Sequence, residues 1–95
     1  MKLRTLIEGN ASQPTHVIII SPYSSRKGAN IVLSVKDLGG KIVHIEKTKI
    51  ELIIQVNMTR SQFSELVADW DNDHSIMFLN AIEYDDFIKH MKRQK

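Results

Sequence analysis

The side chains of this 95-residue chain that could do chemistry are its histidines, a cluster of serines, two acidic groups and two basic groups. His16, His44, His74 and His90 are widely separated in sequence. No two have the i, i+4 helical or i, i+2 strand spacing that sets up a metal-ligand pair. Asp71, Asp73 and His74 form a short acidic run, but no downstream acid completes a calcium loop. Ser21, Ser24 and Ser25 share one segment, with His16 the nearest histidine. They lack the Gly-x-Ser-x-Gly elbow of a hydrolase and an aspartate placed to orient a base. Glu83, Asp85 and Asp86 open a helical stretch, where acids complement the helix dipole without any catalytic role. Nothing here spells an enzyme, a metal site or a cofactor.

Binding chemistry is better represented. Tyr23-Ser24-Ser25-Arg26-Lys27-Gly28 offers hydroxyls, two cations and a glycine in one polar turn. That set suits a phosphate or an acidic protein surface, although the Walker framework is absent. Lys89, Lys92 and Arg93 make a basic end to the chain that can reach nucleic-acid phosphates. The strand faces are aliphatic, without the aromatic platforms of RNA-recognition sheets. A formal net charge of +2 permits a nucleic-acid partner without demanding one.

The elements that must position these groups come from hydrophobic periodicity. Leu3, Leu6 and Ile7 fit a short strand over residues 1–7. The β-branched run Val17-Ile18-Ile19-Ile20 predicts a buried strand over 15–21, ended by Pro22. Ile31, Leu33 and Val35 alternate with more polar positions and predict another strand. Gly39-Gly40 then offers a tight turn, and Ile42 to Ile45 reads as the return strand of a hairpin. Over 48–57, Ile50, Leu52, Ile54 and Val56 share one face, with Ile53 on the other. Thr59 and Gln62 have capping-box spacing and start a helix with the apolar stripe Phe63, Leu66, Val67, Trp70. Ile76 to Leu79 predicts a strand, and a last helix from Glu83 carries Tyr84, Phe87, Ile88 and Met91.

These readings give a single α+β domain over residues 1–95. Its sheet is mostly antiparallel, of about five strands with two helices, in the order β-β-β-β-α-β-α. The helices are expected on one face, leaving the other partly open. With no cysteine, the chain lacks disulfides, a catalytic thiol and cysteine-bound metal, which fits a reducing, cytoplasmic setting. No apolar run reaches the roughly 20 residues of a membrane helix.

The segment Met58-Thr59-Arg60-Ser61-Gln62-Phe63-Ser64-Glu65-Leu66, entered from a strand, resembles a pattern in small accessory proteins of tailed bacteriophages. Gly28-Ala29-Asn30-Ile31 is similar to their polar Gly-Asn turn, and the likeness covers residues 15–82. After the helix the chain departs from them, with Asp71-Asn72-Asp73-His74 in place of a glycine-rich turn. The resemblance implies no catalytic residues. It implies stoichiometric binding to a host enzyme or defence complex in the bacterial cytoplasm. The expectation is therefore a non-catalytic protein-binding module. The alternative is a small nucleic-acid-binding protein that uses the basic turn and the basic C-terminal helix. An unpaired sheet edge or an open apolar strip would serve a partner, or a homodimer that pairs edge strands.

Overall fold

The β-branched run at the start of the domain forms β1 (His16–Ile20), with Val17 to Ile20 all buried. In the computed structural model, which describes residues 14–93, this strand lies at the centre of a four-stranded antiparallel sheet. The elements follow as α1 (Ser25–Asp37), β2 (Lys41–Lys47), β3 (Leu52–Asn57), α2 (Arg60–Trp70), β4 (Ile76–Asn80) and α3 (Ala81–Arg93). Strand order is β2-β3-β1-β4. This β-α-β-β-α-β path is the ferredoxin-like split βαβ arrangement, here with one added helix. The expected strand over residues 1–7 lies outside the described residues.

The largest departure from the sequence reading is α1. Residues 31–35, expected as a strand, lie in a thirteen-residue helix. Its start is fixed by Ser24, whose Oγ accepts from the Lys27 N–H at 3.2 Å, so the expected polar turn is a helix cap. Its end is a Schellman motif. Gly39 takes φ +93°, its N–H donates to Lys36 O at 3.0 Å, and the Gly40 N–H donates to Val35 O at 2.9 Å. Gly39-Gly40 is therefore a helix stop and not a hairpin turn, and β2 pairs with β3 instead. Burial settles the period: Gly28, Ile31 and Val35 face inward while Leu33 is 61% exposed. The stretch Gly28-Ala29-Asn30-Ile31 is likewise helical. A side chain at Gly28 would collide with Leu52, so this glycine lets α1 lie close on the sheet.

Alternation along the strands divides the core in two. Ile18, Ile20, Ile54 and Val56 pack with Ile31 and Val35 of α1 and Leu66 of α2. Val17, Ile19 and Ile53 point the other way and pack with Leu79, Tyr84 and Phe87. Helix α3 thus covers the face expected to stay open, and β1 is apolar on both sides because both sides are covered. Each such side chain contributes roughly 1.5–3 kcal/mol when fully buried. The described residues form four strands and three helices, against about five strands and two helices expected.

The connections are closed by short polar contacts. The capping box of α2 is formed, with Gln62 N–H donating to Thr59 Oγ1 at 3.1 Å and Thr59 N–H to Gln62 Oε1 at 2.8 Å. Asn80 and Glu83 make the equivalent pair at the start of α3, both at 2.8 Å. Glu83 therefore acts as a cap. Between β2 and β3, Thr48 Oγ1 accepts from Glu51 N–H at 2.9 Å, which leaves Ile50 in the turn and 63% exposed. Its expected place on the buried face of a longer strand is corrected accordingly.

Candidate functional site

Ser24 and Lys27 of the basic turn are engaged within the fold. The Lys27 ammonium lies 3.0 Å from Asp73 Oδ2 and donates to Ser75 Oγ at 2.7 Å. Ser75 in turn donates its hydroxyl (2.6 Å) and its N–H (3.0 Å) to Asp73 Oδ1. The Ser75 hydroxyl first, and then Lys27, hold the Asp73 carboxyl well below its ordinary range, at about 2. This network ties the first turn of α1 to the connection between α2 and β4. It also engages the middle acid of the Asp71, Asp73, His74 run. Among the described residues, no group of three or more histidines and acids is arranged to hold a metal.

Arg26 is exposed at the start of α1, and Lys89 is exposed on α3. Lys92 and Arg93 lie in the last turn of α3. Helix α1 and helix α3 pack on opposite faces of the sheet, so the two basic groups are not brought into one surface. Nor do the serines meet a base. His16 opens β1 and Ser21 follows its other end, a separation of roughly 16 Å along a strand. His16 instead stacks on Phe63, with ring centroids 3.9 Å apart, and shares a 2.9 Å hydrogen bond with Thr15 Oγ1. Burial pushes its imidazole below the ordinary value, partly offset by the Glu83 carboxylate. Burial also pushes the Tyr84 phenol up, partly offset by its hydrogen bond with the Gln55 side chain.

The structure does bring Tyr23 and Ser25 together with residues the sequence did not single out. They line an open groove of about 460 Å³ between α1 and the sheet. Ala29, Val32 and Leu33 form its helical wall, and Ile45 and Leu52 its sheet side. The lining is almost wholly apolar. Tyr23 is fixed at one end: its N–H donates to Ile50 O at 2.9 Å, and the Lys47 ammonium sits 4.7 Å from its ring centroid. Leu33 and Ile45, 61% and 47% exposed, border the opening. Among the described residues β2 is an outermost strand with β3 beside it, so the groove runs along backbone donors and acceptors that no described strand pairs.

The groove is hidden at the level of sequence because residues 31–35 read as a strand, which puts Leu33 and Val35 on one face. The signal was present in the cap at Ser24 and the paired glycines at 39 and 40. A more polar hollow of about 370 Å³ lies by Lys41, Asn57 and Thr59, with Gln62 already committed to its cap. Among the described residues, no helix is long and apolar enough to cross a membrane. Compared with known proteins, the sequence matches no family model and no curated protein.

Proposed function

We propose that this protein is a non-catalytic protein-binding module whose partner docks on the groove between α1 and the edge strand β2. One observation carries the reading. Two large apolar side chains, Leu33 and Ile45, stand exposed on either side of an apolar trough, directly beside the outer edge of β2, which no strand of the described residues pairs. An extended segment added to β2 gains main-chain hydrogen bonds from the edge and places alternate side chains in the groove. The likeness of the Met58–Leu66 segment to tailed-phage accessory proteins makes a bacterial host enzyme or defence protein the partner class to seek first, with inhibition the expected consequence.

The test is capture from nuclease-treated bacterial lysate by the wild-type protein and by Leu33→Lys and Ile45→Lys variants. Both positions are open to solvent, so the variants should fold. The expected result is one protein recovered stoichiometrically by the wild type and lost with both variants. Recovery that neither variant alters rules out the groove. Recovery that vanishes with nuclease, and falls steeply with salt, moves the function to nucleic acid through Arg26, Lys89, Lys92 and Arg93.

A further inference from the structure

We infer that β2 also pairs with the β2 of a second copy, antiparallel about a two-fold axis at Ile45. The inference rests on the docking reading, because it names an occupant of the same edge, which a second copy and a partner strand take in turn and never together. Side chains alternate between faces, so a two-fold pairing of one strand with itself must place some residue opposite its own copy. The central positions of β2 offer Val43, His44, Ile45 and Glu46 as that residue. Centring on Val43 sets the axis on a β-bulge, where the ladder with β3 is already broken. His44 at the centre sets Lys41 against Lys47 twice. Glu46 at the centre sets carboxylate against carboxylate. Centring on Ile45 sets His44 against Glu46 twice and Val43 against Lys47 twice, and brings like charges together only beyond the strand, where Lys41 faces Lys49 of the turn.

The faces agree with this register. Ile45 lies opposite Ile54, on the side covered by α1 and α2, while His44 and Glu46 lie opposite Gln55 and Ile53, on the side of α3. Pairing about Ile45 therefore buries the two exposed isoleucines against each other and joins the two grooves into one trough bordered by both copies of Leu33. The two imidazole–carboxylate contacts form on the other face. The lysines at the ends of β2 and the bulge at Val43 act against the other registers, which is how exposed edges are commonly restricted.

Sedimentation velocity over a range of concentrations reads the association, and a cysteine scan reads the register. The chain has no cysteine, so each variant carries a single thiol. Under mild oxidation, Ile45→Cys should form a covalent dimer efficiently, and His44→Cys and Glu46→Cys should not. Ile45→Lys should weaken association roughly tenfold or more. Glu46→Lys should weaken it as well, and His44→Glu combined with Glu46→Lys should restore it. Two results overturn the inference: a chain that stays monomeric throughout, or a dimer that cross-links through Met77→Cys on the other edge strand. If the chain is monomeric but lysate capture still depends on Ile45, self-pairing alone fails and the docking reading stands. Loss of both removes the docking reading too.

Discussion

At the scale of single residues, one lysine decides how the basic turn behaves. Lys27 reads from sequence as a free cation beside Arg26, yet Asp73 and Ser75 hold it in a three-residue network. The linkage to pH follows from the depressed Asp73 carboxyl. The folded state prefers the ionised form more than the unfolded chain does. Its contribution is therefore fully present above the ordinary value of 3.8 and is lost as pH falls towards about 2. Asp73→Asn should lower the melting temperature at pH 6, and the gap to wild type should close as the pH is brought from 4 down to 2. A gap that stayed constant over that range would mean the carboxylate contributes through shape alone.

At the scale of elements, α1 depends on its two ends. The interior of this helix is rich in β-branched residues, which favour strands as much as helices. Ser24 and the Gly39-Gly40 stop decide between them. Gly39 at φ +93° is the more demanding end, because an L side chain there is strained and would also meet the Gln62 amide. Gly39→Ala should cost about 1–2 kcal/mol, measurable as a lower urea midpoint with unchanged slope. Since α1 forms one wall of the groove, the same variant should weaken partner capture only as far as it unfolds the protein.

At the scale of the whole molecule, the described residues form a sheet covered on both faces and left open by them along β2. Helices α1 and α2 cover one side, and α3 closes the other over Val17, Ile19 and Ile53. Truncation before Ala81 should uncover those three side chains together. The expected result is binding of a hydrophobic dye and aggregation at neutral pH, whereas a truncated chain that stayed soluble and dye-silent would show that α3 is dispensable to the core. The opening beside β2 follows from topology, because the order of the described strands leaves β2 outermost, with β3 as its one neighbour among them.

Much of this was legible in the sequence. β1, β3, α2, β4 and α3 follow from runs and periods that depend on local residues: four consecutive β-branched positions, the Thr59–Gln62 box, and a stripe from Phe63 to Trp70. The antiparallel α+β class follows from their order. The nature of residues 31–35 did not follow, because Ile-Val-Leu-Ser-Val satisfies both periods locally. Only contact with the sheet, with Gly28 against Leu52 and Ile31 and Val35 inward, shows which side chains are buried. The groove was hidden for the same reason, since Tyr23, Leu33, Ile45 and Leu52 are far apart in the chain. The sequence by itself determined the amphipathic segments, their caps and the absence of cysteine chemistry, all of which are local properties. Tertiary structure decided which strand became the edge, which lysine was neutralised and where apolar surface remained, because each depends on what lies across space from a residue.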